Sequence, residues 1–475
     1  MKVVNRVAFY TLGCKVNAYD TEAIRHLFHN AGYTEVSFDE EADVYVINTC
    51  SVTNVGDRKS RQVIRRAIRR NPEATIVVTG CYAQVAPGEV AAIPGVDLVM
   101  GNDGRGQIVE WVEKVREERR PYQVVSNVRR VRDFEELDVP AFADRARATL
   151  KIQDGCNNFC SFCIIPFSRG FIRSRKPENV LRQARRLAEA GYREIVLTGI
   201  HTGGYGADLE GYTLADLLVD LEHELGDSVR IRISSIEASQ IDERMLNVLQ
   251  GSKQICRHLH IPLQSGDDEV LRRMRRRYTV AEYAETIHRI REVLPEVAVT
   301  TDVIVGFPGE TEEQFDNTRR LIEELKFSQL HVFPYSPRRG TAAARYPDPV
   351  PTEVKEERVR RLVRLSKDLT LAYASRFVGR ILPVVVESSF EDRRAEDGKM
   401  LFTGHADNYL EMVFAADPTM VGQLVEVRLE DPGAERSFGS VVRQIRFAPQ
   451  EDEELVRADG RGETTGGIFP IALEG

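Results

Sequence analysis

The sequence predicts an α/β protein: an N-terminal doubly wound parallel sheet, a central open partial (βα)6 barrel and a C-terminal small β-barrel. Three observations predict it. Apolar runs alternate with amphipathic ones up to about residue 135; the alternation resumes near residue 148 and runs longer; after Gly379 it gives way to short β runs separated by turns. Strand-helix alternation implies parallel strands joined by right-handed crossovers, and short evenly spaced strands imply a small barrel.

In the first run, VAFYTLG, ADVYVINT, ATIVVTG and VDLVMGN read as strands, with DTEAIRHLFHNAGY and RKSRQVIRRAIRRN as helices between them. Residues 127–148, NVRRVRDFEELDVPAFADRARA, are charged without clear periodicity and read as the linker. The second run offers six strands, ATLKIQDG, EIVLTG, RIRISSIE, RHLHIPL, AVTTDVIVGFP and SQLHVFPYS, with helices such as PENVLRQARRLAEAGY and TEEQFDNTRRLIEELK between them. Six βα units are too few to close an eight-fold barrel, so an open one is expected. The long helix TEVKEERVRRLVRLSKDLTLAYASRFVG leads out of it into ILPVVVESSF, LFTGHADNYLEMVF, GQLVEVRLE and SFGSVVRQIRF. The domains expected are 1–135, 142–375 and 376–447, followed by a polar, acidic tail, 448–475, whose composition predicts disorder.

With 42% hydrophobic and 29% charged residues, the composition is that of a soluble globular protein and not of a fibre. The N-terminus has no basic segment followed by an apolar one, and no stretch approaches the roughly 18 apolar residues of a membrane span. A cytoplasmic protein without a membrane partner is expected. Its seven cysteines are then core residues, ligands or nucleophiles, because the cytosol keeps thiols reduced. A net charge of −8 argues against a wholesale nucleic-acid coat. The basic runs DRKSRQVIRRAIRR (57–70) and LRRMRRRY (271–278) each read either as a solvated helix face or as an RNA footprint.

The strongest chemical signal is DGCNNFCSFCIIP, which places Cys156, Cys160 and Cys163 in a C-x3-C-x2-C spacing just after a predicted strand. Three thiolates on one loop can hold three irons of a [4Fe-4S] cluster and leave the fourth open to a substrate. Zinc would want a second ligand pair, and none stands nearby. Cys14, Cys50 and Cys81 each follow the carboxyl end of a predicted parallel strand, the edge where ligands of open α/β sheets collect. The residues alone leave two readings open for these three, core packing or a second cluster.

The C-x3-C-x2-C loop, with aromatic Phe162 before its third cysteine, on the first βα loop of a six-unit partial barrel, resembles the radical S-adenosylmethionine superfamily. There the open iron chelates S-adenosylmethionine, and one electron releases a 5′-deoxyadenosyl radical. The pattern over residues 3 to about 447 resembles the methylthiotransferase family, which has an N-terminal domain with three dispersed cysteines, a radical domain and a C-terminal TRAM domain. The resemblance implies that Cys14, Cys50 and Cys81 hold an auxiliary [4Fe-4S] cluster and that Cys156, Cys160 and Cys163 hold the radical one. It further implies S-adenosylmethionine as both radical source and methyl donor. The partners implied are a tRNA anticodon stem-loop, an electron donor such as flavodoxin or ferredoxin, and a sulfur donor. TLGCKVNAYDTE and VTGCYAQ are most similar to the bacterial tRNA threonylcarbamoyladenosine enzymes, whereas the isopentenyladenosine and ribosomal-protein enzymes tend to read GCQMN and GCPKN at the first cysteine. The reaction implied adds a methylthio group to C2 of threonylcarbamoyladenosine next to the anticodon. The alternatives are the same reaction on isopentenyladenosine or on a ribosomal-protein side chain.

Thr198, Gly199, Ser235, Glu237 and Gln264 lie at strand ends facing one mouth, and with Phe162 and Gly306 they are the expected S-adenosylmethionine contacts, against simple strand-end capping. Gly306, in TDVIVGFPGET, permits close backbone approach. His258 and His260 read as pocket or core residues, and Cys256 as buried packing. On the TRAM-like barrel, Arg376, Arg380, Tyr409, Arg428 and Arg443 are candidate RNA contacts. Every expected cluster ligand lies upstream of Arg376, so the last domain is expected to be separable from the clusters. Two further classes are weighed. An iron-sulfur electron carrier would need fully ligated clusters, and a plain RNA-binding module would not need the C-x3-C-x2-C loop.

Overall fold

Strands that are apolar on both faces need cover on both, and the first third of the chain supplies it. In a computed structural model that describes residues 5–137, 139, 146–394 and 399–445, six parallel strands form the first sheet. They are β1 (Arg6–Thr11), β2 (Thr34–Glu35), β3 (Val44–Thr49), β4 (Thr75–Gly80), β5 (Leu98–Met100) and β6 (Tyr122–Val124), in the order β2-β1-β3-β4-β5-β6. Tyr45, Ile47, Ile76 and Val78 pack on one face with Ile64 and Ala67 of the helix Asn54–Arg70. Val44, Val46 and Val77 pack on the other with Ile24 and Phe28 of the helix Lys15–Asn30. Because β1 leads to β2 on one side and to β3 on the other, the winding reverses between β1 and β3, the place where such sheets bind ligands.

The central unit contains β7 (Ala148–Lys151), the short antiparallel pair β8 (Gln153–Asp154) and β9 (Arg173–Ser174), then β10 (Glu194–Thr198), β11 (Arg230–Ile233), β12 (His258–His260), β13 (Ala298–Val305) and β14 (Gln329–Pro334). The long parallel strands run β7-β10-β11 and β12-β13-β14, and a single bridge between Ile231 and Ile255 joins the two sets. Leu150, Ile195, Leu197, Ile231, Ile233, Leu259, Val299 and Val303 belong to the apolar core beneath the helices. The alternate residues Thr149, Glu194, Arg232, His258, His260, Thr300 and Asp302 therefore face the concave side. Closed barrels fill that space with branched apolar side chains; here it is polar.

The last unit is a closed barrel of β15 (Ile381–Arg394), β16 (Met400–Ala406), β17 (Glu411–Ala415), β18 (Leu424–Asp431) and β19 (Ser437–Gln444), in the order β15-β16-β17-β19-β18. Val384, Phe402, Met412, Phe414 and Val427 fill it, and Tyr373 and Ala374 at the end of the helix Thr352–Ser375 join the same cluster. The barrel is not a separable appendage. Arg230 donates to the carbonyls of Pro383 and His405 at 2.8 and 2.7 Å, and Arg232 to those of Ala406 and Asp407 at 2.9 and 3.0 Å. Both guanidinium groups also bind the buried Glu194, so removing the barrel would leave two buried arginines short of acceptors.

Of the segment read as a linker, described residues are docked on the units beside them. Val128, Leu137 and Val139 are buried, Glu135 pairs with Arg105 at 2.9 Å, and Glu136 with Arg175 at 2.7 Å. Its apolar residues are too sparse to show a period, yet Val128, Leu137 and Val139 dock singly. The tail 448–475 lies outside the described residues.

One buried knot of charge ties the first sheet to the central unit. Asp20, on the helix Lys15–Asn30, meets Arg105 at 2.5 Å, Lys151 at 2.9 Å and Arg169 at 2.7 Å; Asp154 meets Lys151 at 2.6 Å and Arg169 at 3.2 Å. Burial alone would raise the pKa of Asp20, but Arg105, Lys151 and Arg169 hold it well below the carboxylate range. The stability it contributes is present above about pH 4, the pKa of an unfolded Asp, and is lost as the pH falls toward the depressed value. Asp20→Ala is expected to cost about 3–5 kcal/mol at neutral pH, because buried cations lose their partner. In denaturant unfolding of the apoprotein, the gap between variant and parent should shrink as the pH drops below about 4.

Candidate active site

Three of the seven cysteines stand at the carboxyl ends of β1, β3 and β4, which are neighbours in register, with Thr11 opposite Asn48 and Thr49 opposite Gly80. Cys14 caps the helix Lys15–Asn30, Cys50 follows β3, and Cys81 opens the helix Cys81–Val85. Gly13 permits the approach: it has φ +110°, and a Cβ there would stand 3.1 Å from the Cβ of Cys50 and 3.2 Å from its Sγ. Asn102 Nδ2 lies 3.8 Å from the Sγ of Cys81. The backbone N–H of Val52 donates to the Sγ of Cys50 at 3.5 Å. Burial pushes the Cys50 thiol up to about 11, and Cys81 and Cys14 add to the rise; burial also raises the Cys14 thiol, against the pull of Arg169. A cation bound among them must therefore displace protons, which is how thiolate metal sites form.

The second set lies on the loop between β8 and the helix Ile165–Arg169. Cys156 N–H donates to the Gly170 carbonyl at 3.0 Å and Cys163 N–H to that of Cys160 at 3.0 Å, closing the loop on itself. A Cβ on Gly155, at φ +78°, would come within 1.8 Å of the Phe171 carbonyl, so only glycine fits there. Burial raises the Cys156 thiol to about 11 and that of Cys163 to about 12, with neighbouring thiols adding. Among the described residues no three Cys, His, Asp or Glu side chains converge closely enough for a single metal ion. A cluster asks for a wider arrangement, one thiolate to each iron.

The basic run 271–278 is neither a plain solvated face nor a free footprint. Arg276 donates to the Sγ of Cys160 at 3.5 Å, pairs with Glu237, and lies over Tyr278. Ser161 donates its N–H to the Met274 carbonyl at 3.0 Å and its hydroxyl to that of Arg273 at 2.7 Å. The run therefore underpins the cysteine loop. Its charges look alike in sequence, and only the fold separates Arg276 from its neighbours. Arg338 was equally invisible. It is buried beyond β14 and binds Ser51, Asn54 and Asp57 at 2.7, 2.8 and 2.7 Å, which clamps the Cys50 loop to the mouth of the central unit.

The clamps bring the loop after Cys50 and the second cysteine loop to a shared cavity. A cavity of about 250 Å³ is lined by Val52 and Thr53 from the Cys50 loop and by Phe162 and Cys163 from the other, with Gln264 and Tyr335 completing it. A second cavity, of about 270 Å³, is lined by Cys160, His201, Glu237 and Arg276. The expected S-adenosylmethionine contacts thus divide, Phe162 and Gln264 on the first cavity and Glu237 on the second. Thr198 is buried at the end of β10, and Gly199 leaves space for Gln153, 2.8 Å from where its Cβ would be. Ser235 is half-buried two residues beyond β11. Gly306 has φ +72° and donates to Glu310 at 2.5 Å.

On the concave side, His258 and His260 share the Thr300 hydroxyl, each at 2.9 Å, and Cys256 is buried. Tyr409 is not presented on an outer face: its ring stacks on His258 at 4.2 Å beneath Arg232. Arg376, Arg380, Arg428 and Arg443 are exposed, though each already bonds a carbonyl or a carboxylate. Lys15 reaches a third cavity, of about 260 Å³, with Arg147, Thr149, Val196 and Glu387. Burial, then Arg147 and Arg232, lower its pKa to about 8.

Residues 150–322 match the family model of the radical SAM superfamily, and residues 6–101 match that of the uncharacterized protein family UPF0004. The chain is 55% identical to a threonylcarbamoyladenosine tRNA methylthiotransferase of Bacillus subtilis (strain 168), over 92% of its own length and 97% of that protein's. It is 32% identical to a tRNA-2-methylthio-N(6)-dimethylallyladenosine synthase of Desulfitobacterium hafniense (strain Y51), over 92% and 98% of the two chains. Among solved structures it is similar to the radical S-adenosylmethionine methyltransferase TsrM of Kitasatospora setae, with a TM-score of 0.51, 15% identity, and coverage of 70% of this chain and 75% of that one. At that identity the likeness concerns the fold alone.

The Gly13 contact generates a direct test of the first cysteine set. Gly13→Ala is expected to lower the iron bound in a background where Cys156, Cys160 and Cys163 are all Ala, because its Cβ would displace Cys50. Iron analysis after anaerobic reconstitution reads the loss; unchanged iron would show that the close approach of Gly13 does not matter to that site.

Proposed function

The chain belongs to the radical S-adenosylmethionine methylthiotransferase family, and from that membership we propose that it adds a methylthio group to C2 of threonylcarbamoyladenosine, next to the anticodon of tRNA. The observation that carries the proposal is the cavity lined from both cysteine loops, by Thr53 on one side and Cys163 on the other. A carbon held there lies against Cys163 and against the loop that follows Cys50. The donor chemistry fits two [4Fe-4S] clusters, Cys156, Cys160 and Cys163 for one and Cys14, Cys50 and Cys81 for the other, each leaving an open iron. When bound, these groups and S-adenosylmethionine would supply the adenosyl radical that removes the C2 hydrogen, the sulfur that replaces it, and the methyl group that caps the sulfur.

The chain's own residues orient and enclose. Phe162 and Gln264, which line the first cavity, would border the adenosyl part; Gly306, Thr198, Gly199, Ser235 and Glu237 are assigned to the same ligand from their places at the strand ends. Arg276 counters the negative charge that builds up at Cys160. The clamp through Arg338 keeps the first sheet over the mouth and limits access of water to reactive species. We assign residues 1–135 to the auxiliary-cluster domain, 142–375 to the radical domain, and 376–447 to a TRAM domain that grips RNA by shape and backbone charge. An electron donor such as flavodoxin or ferredoxin, a sulfur donor and a cytoplasmic setting complete the reading. No described helix is long and apolar enough to cross a membrane.

Two measurements test it. Replacing Cys14, Cys50 and Cys81 by Ala should abolish thiolation while 5′-deoxyadenosine is still formed; retained thiolation would remove these residues from the chemistry. In tRNA nucleosides from a strain lacking the protein, mass spectrometry should find the methylthio form of threonylcarbamoyladenosine missing. Its loss from isopentenyladenosine instead would transfer the reading to that substrate, and loss from neither to a ribosomal protein.

A further inference from the structure

Lys15 is the cation of the concave side that has no partner. It directly follows Cys14 and lines the cavity of about 260 Å³ formed with Arg147, Thr149, Val196 and Glu387. Its ammonium makes no hydrogen bond or ion pair among the described residues. The carboxylates nearby are already shared. Glu194 is held by Arg147, Arg230 and Arg232 at 3.4, 2.5 and 2.7 Å, and Glu387 by Arg147 and His405 at 3.2 and 2.7 Å. Lys15 is also the first residue of a 16-residue helix with no acidic side chain in its first turn, so the positive end of that helix adds to the field. A cavity built this way lacks an anion.

We propose that Lys15 binds the threonyl carboxylate of the substrate and so sets the choice of N6-modified adenosine. The inference rests on the threonylcarbamoyladenosine reading above. The modification leaves the purine at N6 and ends, several bonds later, in a free carboxylate. C2 lies across the ring from it. A long cationic side chain that starts beside Cys14 and reaches into the cavity with Arg147 and Thr149 can meet the carboxylate while C2 stays near the cysteine loops. The Lys15 ammonium is exposed to the solvent of that cavity, so an anionic substituent replaces its water with a charged partner, whereas an apolar one strips the water and replaces nothing.

The test uses the reconstituted full-length protein and three anticodon stem-loop RNAs, one with threonylcarbamoyladenosine, one with the methyl ester of the same group and one with isopentenyladenosine. The wild-type protein is expected to use the acid at a KM about tenfold or more below that of the ester, the scale on which a lost charged hydrogen bond registers. Lys15→Gln should raise KM for the acid and erase the preference, and Lys15→Arg should restore most of it, at iron contents checked to be equal. Equal use of acid and ester by the wild-type protein overturns the proposal, as does a Lys15→Gln protein that keeps the preference. A wild-type protein that thiolates only isopentenyladenosine RNA overturns the functional reading and this one together, whereas a wild-type protein active on both acid and ester without preference overturns only the role of Lys15.

Discussion

Asp20 is the point on which the geometry of both cysteine sets depends. It lies six residues after Cys14, and its partners Lys151 and Arg169 bracket the other loop, with Arg169 six residues after Cys163 and Asp154 two before Cys156. Buried charges are expensive unless every one is met, so the knot tolerates only one relative placement of the helix Lys15–Asn30 and the loop 156–163. A purely apolar contact would be less selective, since apolar packing is non-directional. The same Arg169 bonds Asn17, which lies 4.0 Å from the Sγ of Cys81, and Asn102 bonds both that sulfur and the Ser168 carbonyl. The tie between domains and the surroundings of the thiols are thus one network.

A second group of arginines repeats the device elsewhere. Arg338 holds the Cys50 loop against the end of β14, and Arg230 and Arg232 hold the last barrel through backbone carbonyls. Arginine suits these joints because its fork bonds several acceptors in one plane. Apolar contact also crosses the boundaries, through Tyr19 and Ala23 in the central core and Ala298 in the barrel core, and the polar bonds add the direction that such contact lacks. The concave side is polar throughout, with Thr149, Glu194, Arg232, His258 and Thr300 buried along it.

Much of this was legible beforehand. The strand-helix alternation located the parallel strands from VAFYTLG to SQLHVFPYS, because burial on both faces writes continuous apolar runs into the first sheet and burial of one apolar face writes alternating ones, such as RIRISSIE, into the central unit. The cysteine loop was legible because its ligands are local, within eight positions. The burial of Leu137 and Val139 was not legible, since they dock as isolated residues without a period. Tyr409 misled for a different reason: an aromatic side chain on a small barrel looks alike whether it faces RNA or, as here, a histidine of the neighbouring unit.

The sequence by itself determined the α/β order, the open six-strand unit, the closing barrel and the six cysteines that follow strand ends, because each is encoded in local period and spacing. Only the tertiary structure decided which charges meet. Asp20 and Lys151 are 131 residues apart, Ser51 and Arg338 are 287 apart, and no local pattern distinguishes these arginines and lysines from the solvated ones beside them. The same holds for Lys15. Its side chain is one basic residue among many along the chain, and it becomes the unpaired cation of a cavity only because the fold assigns the nearby carboxylates to other partners.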